Sequence, residues 1–206
     1  MDKITLHYFF VRRVSFARGE NVKLLLVDAG LDHEYIRPAK SDNWPETKKQ
    51  LKAKGHHRGT MPYIEVGDQV FAGSVPILRY LSAKLGKYNG SNDEERYRVD
   101  VAVDAAEDWF HSFKNGLVGG EEGEKKHLET ELPNWLSIFE GYYGETEGSY
   151  LLGENITYAD MLVYHMIDDE GVAKNLNDYP NLQKFVSSFE ARPNIAPYLA
   201  SLAAQA

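Results

Sequence analysis

Along the first 75 residues the apolar positions alternate between two periods; beyond them only one survives. KITLHYF (3–9) carries the β-branched and aromatic residues that suit a strand. Val22, Leu25, Leu26 and Ala29 then fall at i, i+3, i+4 and i+7, the stripe of an amphipathic helix that ends at Gly30. HEYIRP (33–38) reads as a second short strand stopped by Pro38, and a polar, lysine-rich segment follows. MPYIEV and QVFA flank Gly67 and Asp68, which accept the dihedrals of a tight turn, so the two runs predict a β-hairpin. After Ser74, residues Ile77, Leu78, Leu81 and Leu85 form another helical stripe, closed by Gly86. Pro76 fits because the first turn of a helix leaves its N–H groups without partners anyway. The order β-α-β-α-β-β-α predicts a mixed sheet carrying helices.

From residue 87 the pattern is helical throughout. KYNGSNDEE is polar and turn-rich and reads as a linker. Ser91 with Glu94 forms a capping box that starts a long helix striped by Val99, Val103, Ala106, Phe110 and Phe113. Leu128, Leu132, Trp135, Phe139 and Tyr142 mark a second helix, with a kink expected at Pro133. Thr157 and Asp160 cap a third, whose buried face is Leu162, Val163, Met166 and Ile167; Leu182, Phe185, Val186 and Phe189 define a fourth. The expected organisation is an α/β domain over 1–86 and an all-helical domain over 91–206.

Composition narrows the function classes. At 206 residues, 43% hydrophobic and 12% aromatic, the chain has ample material for packed cores. A net charge of -8, from 31 acidic and 23 basic residues, argues against a nucleic-acid footprint. No run approaches the ~18 uninterrupted apolar residues of a membrane span. The opening MDKITLHYFF enters a strand pattern at once, without the segments of a secretory signal, so a cytoplasmic protein is the expectation. There are no cysteines, which excludes disulfides, thiolate metal sites and cysteine nucleophiles. The adjacent His56 and His57 read as loop histidines rather than metal ligands, since neighbouring side chains diverge.

Pro62 stands out, because a proline opening a strand cannot donate to the sheet unless that backbone serves another purpose. A β-α-β-α-β-β-α module with a proline entering its third strand resembles the thioredoxin fold, in which that proline is cis and an extended peptide pairs with the preceding residue. The thiol-redox members of that fold need a cysteine that this chain lacks. YFFVRR after the first strand, MPYIEVGDQVFAGS and NITYADMLVYHMI together resemble the cytosolic glutathione transferases, most closely the tyrosine-dependent pi- and sigma-like classes, and the resemblance covers essentially the whole chain. It implies a thioredoxin-like domain followed by a helical bundle. It also implies an enzyme that activates the thiol of glutathione, its cosubstrate, for attack on a hydrophobic electrophile, with no metal or other cofactor.

The same resemblance assigns roles by position. Met61, before Pro62, hydrogen-bonds the cysteinyl backbone of glutathione, and Ser74 binds the γ-glutamyl carboxylate at a helix N-terminus, where free N–H groups and about half a positive charge favour an anion. Read alone, Ser74 is a plain N-cap, and the two readings are compatible. Tyr8 occupies the place of the catalytic hydroxyl, which favours the thiolate by donating to sulfur. Arg18 matches an arginine near the γ-glutamyl group. Trp44 matches an aromatic at the glycyl end, and Lys54 (or Lys52) a lysine on its carboxylate; Lys48, Lys49 and Lys52 otherwise read as a solvated face. Asp108 resembles an acidic residue that reaches the glutathione amine of a partner subunit, which implies a homodimer. The second substrate is expected between the Tyr8 loop, with Phe9, Phe10 and Val11, and the helix carrying Phe110 and Phe113.

Two departures accompany the resemblance. The loop between Tyr8 and the first helix is about four residues longer than the pi-like pattern and holds Ser15, a second candidate for the thiol activator. Gly73 stands where many relatives carry Gln or Glu, and has no side chain to contact the γ-glutamyl group. Both keep open an alternative, a non-catalytic glutathione-binding or protein-interaction module on the same fold.

Overall fold

The computed structural model describes residues 3–13, 15–38 and 43–204. The chain divides into two compact units, Met1–Leu85 with Ala191–Ala206, and Gly86–Glu190.

The first unit is built on a four-stranded sheet of order β2-β1-β3-β4. Its strands are β1 (Ile4–His7), β2 (His33–Ile36), β3 (Tyr63–Val66) and β4 (Gln69–Ala72). β1 runs parallel to β2 and antiparallel to β3, and β3 and β4 form the expected hairpin around Gly67 (φ 58°) and Asp68. The spans of β1 and β2 end earlier than the sequence pattern, at His7 and Ile36. Pairing continues past them, however, with Tyr8 N donating to Ile36 O (3.1 Å) and Phe10 N to Pro38 O (3.0 Å). Helices α1 (Gly19–Asp28) and α3 (Ser74–Leu85) pack against each other, and Val22, Leu25, Leu26, Ile77, Leu78 and Leu81 are fully buried with Ile4, Leu6 and Ile64 of the strands. The lysine-rich segment is helix α2 (Trp44–Ala53), of which only Leu51 is buried.

The last helix, α9 (Ile195–Ala203), is grouped with this compact unit. Specific polar contacts hold the segment on α1. Arg192 Nε and Nη2 donate to the two oxygens of Asp28 (2.5 and 2.8 Å), Asn194 Nδ2 donates to Asp28 O (3.0 Å), and the Tyr198 hydroxyl donates to Glu20 (2.5 Å). Such bidentate pairing between positions 164 residues apart has no local sequence signature.

The second unit contains α4 (Asp93–Val118), α5 (Gly120–Lys126), a π-helical turn (His127–Glu131), α6 (Leu132–Gly144), α7 (Tyr158–Asp169) and α8 (Pro180–Glu190). α7 is its axis, buried on all sides from Tyr158 to Ile167. Three differences from the periodicity reading have physical causes. The N-cap of α4 is Asn92, not Ser91: Asn92 Oδ1 accepts from Glu95 N (2.8 Å) while Glu95 reaches back to Ser91 N (2.7 Å), and asparagine caps as well as serine. The departure from α-helical winding falls in the π turn (His127–Glu131) ahead of Pro133, which follows in the first turn of α6 with helical backbone on both sides. The π turn before it adds a residue to the winding and rotates the helix face, so Leu128 is 50% exposed and His127 is buried in its stead.

Candidate functional site

Register alone assembles the centre of the site. His7 pairs with Ile36 on one side and with Tyr63 on the other, and Tyr63 pairs with Ala72. One residue further along, Tyr8 therefore lies between Arg37 and Pro62, with Gly73 beyond Pro62, where Gly73 N donates to Pro62 O (2.8 Å). Neighbouring strands stand about 4.8 Å apart, so this row spans the sheet end within the length of a small peptide. The Met61–Pro62 bond is cis. Gly73 has φ +94°, in the region that favours glycine, which accounts locally for the missing Gln or Glu side chain. Ser74 follows as the buried first residue of α3, whose opening N–H groups lie beside the row.

Tyr8 is 9% exposed and lies under the start of α1. A Cβ at Gly19 would come within 2.6 Å of Tyr8 Cβ and would also meet the Tyr35 hydroxyl, so glycine there lets the helix descend onto both rings. Arg18, the half-buried N-cap residue of α1, immediately precedes that glycine. Burial pushes the Tyr35 and Tyr198 phenols well above their ordinary range, with the Glu20 charge adding to the effect at Tyr198. Ser15 is buried in the long loop, where its hydroxyl accepts a bond from Arg13 Nη1. The loop turns through positive φ at Arg12 and Ala17 (53° and 65°). Ser15 is outside the Tyr8–Pro62–Gly73 row.

The loop after Tyr8 is pinned from two sides. Trp44, opening α2, meets Phe9 edge-on at 5.0 Å, and Arg37 Nη2 donates to Phe9 O (3.0 Å) with its guanidinium 5.7 Å from the Phe10 ring. Phe10 is 49% exposed and Val11 is half-buried, so both present apolar surface. Lys54, at the end of α2, is exposed and 3.6 Å from Glu65, which also pairs with His7 (3.0 Å). Lys48 lies on the Trp44 side of α2, and a Cβ at Gly59 would come within 2.7 Å of its Cγ, so its stem runs beside the chain leading into Met61. Arg37 and Glu65 escaped the sequence reading because each is a single residue on a strand edge, without a pattern around it.

In the second unit Asp108 is an exposed residue of α4 and Phe110 is half-buried. Phe113 is a core residue, 5.9 Å from the His127 ring, and its side chain is committed to packing. Sequence reading also passed over His127 itself. Its Nε2 lies 2.8 Å from Glu170, which accepts from Trp109 Nε1 as well (2.8 Å), and burial raises the Glu170 carboxyl above its ordinary value.

Comparison with known proteins yields three kinds of match. The family model for the glutathione S-transferase C-terminal domain matches residues 107–202. Glutathione S-transferase P 1 of Xenopus laevis is 34% identical over 98% of this chain and 93% of its own length. A glutathione S-transferase of Plasmodium yoelii yoelii is 30% identical over 95% of both. Among solved structures, a pi-class glutathione S-transferase of Onchocerca volvulus superposes with a TM-score of 0.86 at 26% identity, covering 98% of this chain and 94% of that one.

Proposed function

The chain belongs to the glutathione S-transferase family, and from that premise we propose that it conjugates glutathione to hydrophobic electrophiles through the row Tyr8–Pro62–Gly73–Ser74. The observation that carries the reading is the register, which sets a phenol, a strand entrance and a helix N-terminus side by side. Glutathione lies along the entrance of β3, its cysteinyl backbone paired with Met61 like an added strand. Its γ-glutamyl carboxylate meets the Ser74 hydroxyl and the first N–H groups of α3, with Arg18 supplying charge nearby. Tyr8 donates to the sulfur and so favours the thiolate, the nucleophilic form. Phe10 and Val11 offer apolar surface to the electrophile. Turnover of a generic aryl halide with glutathione tests the assignment. Glutathione binding without turnover would instead mark a binding module.

We assign the glycyl carboxylate to Lys54, beside Trp44. Lys54→Ala then raises KM for glutathione roughly three- to tenfold with kcat nearly unchanged, the signature of lost uniform binding. Should Lys48→Ala produce that rise while Lys54→Ala is silent, the contact passes to Lys48 and the Lys54–Glu65 pair is merely an exposed ion pair of little energy.

The working form we propose is a homodimer in the cytoplasm, acting in detoxification, with Asp108 directed at the amine of glutathione held by a second copy. Sedimentation at micromolar concentration is expected to give twice the 23.4 kDa chain mass. A single 23.4 kDa species would remove the role of Asp108.

A further inference from the structure

One turn along α1 from Gly19, a lysine of the first unit stands in an unusual setting. Lys23 projects from α1 with Nζ 2.6 Å from Nε2 of His33, the first residue of the edge strand β2. On the other side of that imidazole, Nδ1 lies 2.6 Å from the Leu31 carbonyl oxygen. A carbonyl only accepts, so Nδ1 carries the hydrogen and a neutral His33 turns its lone pair on Nε2 toward Nζ. The amine is also flanked by two aromatic rings, Tyr198 of α9 at 5.2 Å and Tyr35 of β2 at 5.9 Å. The charged groups acting here are Glu20, one turn back on α1, and Asp32 beside His33.

We propose that Lys23 is a modification site, an amine that takes an acyl group from an uncharged thioester with His33 as its proton acceptor. The Nζ lone pair attacks the thioester carbonyl carbon and an N–C bond forms. The C–S bond breaks and the thiolate leaves. The proton shed by nitrogen passes to His33 Nε2 and then through solvent to the departing sulfur, so the products are an amide and a thiol, with no change of oxidation state. The surroundings favour the reactive amine. Burial lowers the Lys23 pKa against the opposing pull of Glu20, and burial likewise lowers that of His33, keeping its Nε2 available as a base. Lys23 is half-buried, not sealed in the core. Acylation would cancel the charge that the Tyr198 ring faces, and with it one of the contacts between α9 and α1.

The test uses the full chain treated at pH 7.5 with a limiting amount of S-acetyl-N-acetylcysteamine, followed by site-resolved mass spectrometry. Lys23 is expected to be acetylated several-fold faster than Lys3 and Lys54, because its Nζ has the His33 imidazole 2.6 Å away as proton acceptor, whereas those two lysines lie against the carboxylates of Glu34 and Glu65. In His33→Gln the Lys23 rate is expected to drop toward that of the exposed lysines, with Lys3 and Lys54 unchanged. Acetylation of Lys23 no faster than Lys3 in the unmodified chain would overturn the proposal without any variant, so a His33→Gln protein that folds poorly does not rescue it. An unaltered Lys23 rate in a well-folded His33→Gln variant would overturn the role of His33.

Discussion

Replacing Asp160 by alanine is expected to cost about 3–5 kcal/mol of stability, with a melting temperature roughly 6–20 °C lower. The carboxylate is fully buried at the start of α7 and accepts from four donors. Thr157 N (2.6 Å) and Thr157 Oγ1 (2.8 Å) bond one oxygen; Leu151 N (3.0 Å) and the Tyr143 hydroxyl (2.8 Å) bond the other. Alanine strips all four of their acceptor in a place water cannot reach, and each orphaned buried donor carries a penalty of about 1–3 kcal/mol that adds only in part. Burial, the largest of the causes that hold the Tyr143 phenol far above its ordinary range, persists without Asp160, so the hydroxyl remains a donor with nothing to donate to. Thr157→Ala, which removes one hydroxyl of the capping box, should cost only about 1 kcal/mol. Calorimetry on both variants checks the ordering. Asp160→Ala losing no more than Thr157→Ala would mean that the network is not what anchors α7.

The largest effect on chemistry is expected at Tyr8. Tyr8→Phe should lower kcat/KM roughly ten- to hundredfold, about 1.4–2.7 kcal/mol of transition-state stabilisation, and raise the thiol pKa of bound glutathione while its affinity stays nearly constant. The ring still fills the space beneath Gly19, so only the hydroxyl's effect on the charged sulfur is lost. Ser15→Ala should leave the titration where it was, because Ser15 lies in the long loop with its hydroxyl on Arg13 and outside the row that holds Pro62 and Gly73. Thiolate absorbance followed against pH in the two variants separates them. A shift in Ser15→Ala alone would transfer the role to Ser15.

Much of this molecule was legible without coordinates, and the legible parts share one property. The stripes of α1, α3, α7 and α8, the Gly67–Asp68 turn and the Thr157–Asp160 box are each written within a few neighbouring residues, because helix periodicity, turn dihedrals and capping are local interactions. Pro62 at a strand entrance could be singled out for the same reason: its missing N–H is a local fact with a consequence in any sheet. The order of elements then predicted a mixed sheet, and the sheet is mixed.

What tertiary structure decided lies between positions distant in the chain. The residues beside Tyr8 follow from strand register, which placed Arg37 on one side and Pro62 on the other. The π turn turned Leu128 outward and His127 inward, since the rotation of a helix face depends on what the neighbouring helices accept. The attachment of α9 to α1 rests on Arg192 meeting Asp28 and Tyr198 meeting Glu20, and the Lys23–His33 pair on the edge of β2 reaching one face of α1. None of these contacts leaves a periodic trace, because a single side chain carries no phase. By itself, then, the sequence determined which segments became strands and helices and where each begins its turn or cap, through forces acting over a few residues. Which side chains share a site was decided by packing and register, which act across the whole chain.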